Sequence, residues 1–358
     1  MHFAVIMAGG TGQRLWPLSR EHRPKQVLKL LDGQTLLRKC FERLEGIFDP
    51  RNIIVLTNVN YVDLVRENLT ELPGENVIAE PAVRDTAGAI GLAASILTKY
   101  DPTATMAVVT ADQIMEPAET FQAAMRSALS FVDEHPEALV TFGVRPTCPS
   151  SQLGYVKFSP TPTRHNSDGA VYPIEAFKEK PDEATARRYL DDDAYYWNSG
   201  MFVWRCETIL RQLKQNLPES AEPLEAIKTE WGKPTALQVL QDQFPRLPKI
   251  SIDYAVMEKA EQVYGLKLDC RWLDMGSFAA LVDILESDPD NNVIVTGHSE
   301  LLDCKNNIVV TEEKDHLLAL MGVENMIVVH SRDATLVCPM SQGHRLKELL
   351  AQIKAHHA

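Results

Sequence analysis

Gly9, Gly10 and Gly12 follow a short apolar run, residues 3–7, and lead into Arg14, Arg20, Arg23 and Lys25 within the stretch MAGGTGQRLWPLSREHRPKQ. A glycine-rich turn after a buried strand lets backbone N–H groups come close to an anion, and cations in the next turns neutralise its charge. Pro17 and Pro24 stiffen the backbone between those cations. Neither common nucleotide loop fits. A Walker A loop needs Lys-Ser or Lys-Thr after its last glycine, but Gln13-Arg14 follow Gly12; a dinucleotide turn from Gly10 needs glycine where Leu15 stands. A tight connection with merely solvated arginines is the bland alternative. Asp112 stands just past the apolar run 106–110, where by itself it reads as a solvated loop acid or a helix cap. Asp85 or Thr86 could N-cap the helix expected over 86–100.

The elements that must carry these groups alternate. Apolar runs at 3–7, 52–57, 76–79, 106–110 and 138–144 read as strands, separated by amphipathic stretches at 35–44, 86–100 and 117–135. Strands apolar on both faces, alternating with helices, predict an α/β fold with a mostly parallel sheet covered on both sides. Ligands in such sheets sit at the carboxyl ends of strands. From residue 146 to about 197 shorter alternating strands form an excursion, returning through a core strand near 200–204. Helical segments are expected up to about 286, interrupted at 244–248. A polar linker then leads to short strands at hairpin-like spacing, placing a small β domain at 287–358 closed by a helix from about 341. No internal repeat stands out.

Bulk numbers narrow the function classes. The 358 residues are 45% hydrophobic and 24% charged, with a net charge of −13. That charge argues against generic nucleic-acid binding, which needs basic surface, and a local basic loop in an acidic chain points to a small anionic ligand. Six cysteines without a CxxC pair fit reduced thiols, and the N-terminus enters its first strand without a basic leader, so a cytoplasmic chain with no membrane span is expected.

The stretch GGTGQRLWPLSREHRPKQ resembles the signature of sugar-1-phosphate nucleotidyltransferases. Its LWPLSR and PKQ portions are most similar to bacterial mannose-1-phosphate guanylyltransferases, also called GDP-mannose pyrophosphorylases. The resemblance continues in order through AEPAVRDTAGAI (79–90), TADQI (110–114), FKEKPD (177–182), WNSGMFVW (197–204), SIDYAVMEK (251–259) and WLDMGSF (272–278). It implies a Rossmann-like catalytic domain over 1–286 and transfer of GMP from GTP to mannose 1-phosphate, with pyrophosphate leaving. Such a transfer needs in-line positioning and cations where negative charge collects.

By this resemblance Arg14 serves the β- and γ-phosphates and Lys25 the α-phosphate, while Asp112 and Asp274 hold Mg²⁺. Gly9, Gly10 and Gly12 with Glu80, Arg84, Asp85 and Thr86 are the nucleotide-binding set; Glu80 or nearby carbonyls would accept from guanine N1–H and N2–H₂. Lys180 would pair with the sugar phosphate, Glu179 and Asn198 would bind sugar hydroxyls, and Gly143 and Gly154 would give the ligand room. Family usage departs at Asp85, Gly88, Gln113 and at Gln152-Leu153, beside the expected sugar. A same-fold enzyme for another nucleotide or for another hexose 1-phosphate, such as glucose 1-phosphate, therefore stays open, as does a non-catalytic nucleotide-sugar-binding regulator. The apolar strands of the β domain leave room for a homodimer.

Overall fold

The computed structural model describes residues 1–10, 12–30 and 33–357, with side chains as far as residue 353. Strands β1 (His2–Met7), β2 (Ile53–Asn58), β3 (Val77–Glu80), β4 (Thr105–Thr110), β5 (Gln113–Glu116), β6 (Leu139–Val144), β7 (Tyr155–Phe158), β8 (Arg164–Asn166), β9 (Gly169–Lys178), β10 (Tyr195–Arg205), β11 (Val263–Leu268) and β12 (Arg271–Asp274) precede a second set. That set is β13 (Val293–Val295), β14 (His298–Leu302), β15 (Ile308–Thr311), β16 (Leu317–Met321), β17 (Met326–Ser331) and β18 (Ala334–Pro339). Grouped by packing, the chain forms two compact units. The first is Met1–Gly9, Cys40–Ala111 and Met115–Trp272; the second is Gly10–Lys39, Asp112–Ile114 and Leu273–Ala358.

In the first unit the main sheet runs β3-β2-β1-β4-β10-β6-β11-β9-β7, with β8 on β9. Its β3-β2-β1-β4 end is parallel, as doubly apolar strands require, and so is the β6–β11 pair, while β10 lies antiparallel between β4 and β6. Helix Asp85–Tyr100 carries few charges and is buried from Ala87 to Thr98. It packs on Val5, Leu56, Met106 and Val108 of the sheet and on Leu213 and Leu224 of two later helices. The expected helical region up to 286 contains a strand instead: Val263–Leu268 is buried except at Tyr264 and Lys267 and pairs parallel to β6.

The second unit also departs from expectation. From β13 to β18 the strand pairs β13-β15-β17 and β14-β16 are parallel and β17-β18 is antiparallel, so the segment coils in rungs rather than hairpins. A short repeat explains this. Asn291, Asn306 and Asn325 each take the left-handed conformation before a Val-Ile-Val-like strand, and asparagine tolerates that conformation better than most residues. Buried Asn292 and Asn307 stack between rungs, with Asn307 Nδ2 donating to Asn292 Oδ1 at 2.9 Å and to the Val323 carbonyl at 2.9 Å. A buried side-chain amide with its partners supplied holds one rung on the next. None of the six cysteines is in a disulfide. Among the described residues no helix is long and apolar enough to cross a membrane.

Candidate functional site

From Gly10 onward the glycine-rich loop belongs to the second unit, and its leucines anchor it. Leu15, Leu18, Leu28 and Leu30 are buried in one core with Ile308, Val310, Ile327 and Val329 of the rungs. Gly12 sits at φ 65°, ψ 29°, and its carbonyl accepts from Ser19 Oγ at 2.7 Å. Gln26 Nε2 donates to the Gly10 carbonyl at 2.9 Å, tying the two ends of the loop. Arg14 and Lys25 on this stretch are both half-buried.

Asp112 and Asp274 stand at neighbouring ends of β5 and β12, which form a two-stranded ladder; the Met275 N–H donates to the Asp112 carbonyl at 3.0 Å. Lys25 Nζ makes an ion pair with Asp112 Oδ2. At Gly276 a side chain would lie 3.6 Å from Asp274 Oδ2 and 3.7 Å from Arg14 Nη1, so those two charges flank it. Burial lowers the Lys25 pKa, but the Asp112 and Asp274 carboxylates outweigh burial and Arg14 and raise it above the ordinary lysine value. Two cations and two carboxylates thus meet in the second unit. Among the described residues no group of three or more metal-ligating side chains exists, so a metal here would rest on two carboxylates and its ligand's own oxygens.

The first unit holds the other expected residues in two groups. Gly9 leaves space for Glu80, since a side chain there would come within 2.8 Å of Glu80 Oε2. Burial pushes the Glu80 carboxyl up to about 7. Asp85, at φ 60°, accepts the Thr86 N–H at 2.8 Å, and Thr86 Oγ1 accepts from Ile252 N at 2.8 Å. Neither side chain is the expected N-cap; Arg84 holds that position without a side-chain cap bond. Arg84 donates from Nη2 to the Pro245 carbonyl.

The second group centres on Asn198, buried at a bulge in β10 between Asn198 and Phe202. Its Oδ1 accepts from Thr141 Oγ1 at 2.9 Å and from Gly200 N at 3.2 Å, and its Nδ2 donates to Asp253 Oδ1 at 3.0 Å. Glu179, also buried, bonds Lys180 Nζ, and Lys180 takes the rare φ of 45°. A side chain on Gly154 would collide with Glu179 Oε2, so the carboxylate would have to move aside. Burial lowers the Lys180 pKa, but the Glu179 bond and the charges of Glu179 and Asp253 raise it overall. At Gly143 a side chain would meet the Phe158 ring at 2.5 Å, so this glycine makes room for that ring.

Asp253 is the residue the motif reading passed over. It lies in a π-turn, Asp253–Met257, and burial with the nearby Glu179 charge pushes its carboxyl up to about 6, against Lys180 and the Asn198 bond. Its signal was the polar Ser-Ile-Asp at the head of an otherwise apolar segment. A groove of about 750 Å³ lined by Ser95, Leu210, Lys214 and Leu224 contains none of these residues.

Residues 3–291 match the nucleotidyl transferase family, and residues 291–353 match the MannoseP isomerase/GMP-like beta-helix domain. A mannose-1-phosphate guanylyltransferase of Klebsiella pneumoniae is 36% identical over 357 residues, covering 99% of this chain and 74% of the relative. The Escherichia coli K12 mannose-1-phosphate guanylyltransferase is 33% identical over 358 residues, 99% of this chain and 73% of its own. A crystal structure from Thermus thermophilus, described as a mannose-1-phosphate geranyltransferase, superposes with a TM-score of 0.88 at 32% identity, over 99% of both chains. The chain belongs to the mannose-1-phosphate guanylyltransferase family of nucleotidyl transferases.

Proposed function

We propose that this enzyme transfers GMP from GTP to mannose 1-phosphate, forming GDP-mannose and pyrophosphate. The observation that carries the reading is the meeting of Arg14, Lys25, Asp112 and Asp274 in one unit, two cations for phosphate charge beside two carboxylates for a hard cation. Arg14 offers a planar fork to the β- and γ-phosphates and the leaving pyrophosphate; Lys25 offers a compact charge to the α-phosphate. Asp112 and Asp274 supply the oxygen donors that Mg²⁺ prefers, and the ion, when bound, neutralises charge on the triphosphate. Lys180 pairs with the phosphate of the sugar. Glu179 and Asn198 hydrogen-bond its hydroxyls, with Asp253 holding the Asn198 amide in register.

The deciding experiment is pyrophosphate release across GTP, ATP, UTP, dTTP and CTP against mannose, glucose and fucose 1-phosphates. Activity concentrated at GTP with mannose 1-phosphate supports the reading. Activity centred on glucose 1-phosphate would move the substrate and trace it to Gln152-Leu153, beside Gly154; silence in folded protein would end the enzymatic reading.

Two further outcomes follow from the geometry. Glu80 accepts from both guanine N1–H and N2–H₂ only when ionised, and its folded pKa of about 7 lies above the ordinary value of 4.5. The KM for GTP should therefore fall as pH rises from about 6 to about 8, and Glu80→Gln should flatten that slope. The linked stability term has the opposite sense: it is full below 4.5 and is lost as pH rises through about 7. A pH-independent KM in the unaltered enzyme would remove Glu80 from the base site. Gly12→Ala puts a Cβ 2.5 Å from Lys25 Cβ in a left-handed conformation. It should lower the melting temperature by only about 2–4 °C yet cut turnover by about tenfold or more, because Lys25 must shift.

A further inference from the structure

Arg20 and Arg23 lie in the glycine-rich loop, but their guanidinium groups are spent on the rungs of the same unit. Arg23 grips Glu312 with both ends of its fork, Nη2 to Oε1 at 2.7 Å and Nη1 to Oε2. Arg20 Nη2 donates to Asp333 Oδ1 at 2.6 Å and to Ser331 Oγ at 3.1 Å, while its guanidinium covers the Trp16 ring at 5.4 Å. The two arginines are also bound to each other through the backbone, Arg20 N to Arg23 O at 2.8 Å and Arg23 N to Arg20 O at 3.0 Å. Glu312 follows β15, and Asp333 lies in the turn between β17 and β18. Two fixed points of the loop, between Arg14 and Lys25 in sequence, are therefore bolted to separate rungs.

We propose that the rung-forming segment sets the triphosphate loop: Glu312 and Asp333, acting through Arg23 and Arg20, are positioning residues that fix where Arg14 and Lys25 stand. The inference rests on the reading of that loop as the triphosphate cradle. Partly exposed ion pairs contribute at most about 1 kcal/mol to stability. A displacement of about 1 Å in groups that orient a reacting phosphate can cost about a hundredfold in rate. The pairs should thus matter to kinetics far more than to folding.

The test compares Arg23→Gln, Glu312→Gln, the swapped pair Arg23→Glu with Glu312→Arg, and Asp333→Asn, whose carboxylate is 71% exposed and whose loss leaves the core intact. Each is measured for kcat, for KM toward GTP and toward mannose 1-phosphate, for melting temperature and for hydrogen exchange of amides 12–30. Each single variant should lose about tenfold in kcat/KM for GTP, keep its KM for mannose 1-phosphate within about twofold, and exchange faster at 12–30. The swapped pair should recover most of the loss. Unchanged GTP kinetics in the single variants, or a swap no better than its parents, would overturn the proposal. Should the unaltered protein ignore GTP, the functional reading fails by itself; exchange at 12–30 then decides the coupling, faster in Arg23→Gln upholding it and unchanged refuting it.

Discussion

Asp112→Asn is expected to reduce kcat by about a thousandfold or more while leaving the melting temperature nearly unchanged, and Asp274→Asn should behave alike. Two losses coincide in either variant. One of the two oxygen ligands proposed for the cation loses its charge, and so does one of the two carboxylates that keep Lys25 protonated. Burial works against the Lys25 charge, so with a carboxylate gone the lysine releases its proton at lower pH. The residual activity should therefore fall off at lower pH than that of the unaltered enzyme, a shift that loss of a metal ligand alone would not produce. A larger Mg²⁺ requirement should accompany it. Rate profiles against pH and Mg²⁺ concentration check both; an unchanged kcat in either variant removes that aspartate from the reaction.

How much of this was legible beforehand depended on how local each signal is. Strands β1, β2 and β4 were readable because each is a run of apolar residues bounded by polar ones. β11 was not, since Val263–Leu268 is short, contains Gly265 and Lys267, and becomes a strand only by pairing with β6 and β9. The rungs were mistaken for hairpins because the asparagine repeat that turns the chain is brief, and its partners are met only after a full coil. The proposed site divides in the same way. Arg14, Lys25, Asp112 and Asp274 could be named from motifs, as could Glu179, Lys180 and Asn198. What a motif cannot show is which arginines are already engaged: Arg84 on Pro245, Arg23 on Glu312 and Arg20 on Asp333 have partners far away in the chain. Asp253 was hidden for the same reason, because its meaning comes from Asn198 and Glu179 beside it.

Lys180→Gly is expected to separate stability from function on the sugar side. Lysine at φ 45° sits where a side chain with a Cβ is disfavoured by about 1 kcal/mol, and Glu179 and the turn after β9 hold it there. Glycine relieves that strain and loosens the unfolded chain by a similar amount, while the buried Glu179 loses its cation, so the melting temperature should fall by no more than a few degrees. The ammonium group, by contrast, has no substitute. Its charge is raised and held by Glu179 and Asp253, and a phosphate arriving there would meet two carboxylates without it. The KM for mannose 1-phosphate should climb by about a hundredfold, with the KM for GTP altered by less than about threefold. Lys180→Arg should restore charge without a fit to the left-handed turn and recover only part of the loss. Strained positions that persist where glycine would serve mark a residue retained for its side chain. A variant that melts several degrees lower while using mannose 1-phosphate normally would show that Lys180 is kept for folding, and would withdraw the sugar phosphate from this part of the first unit.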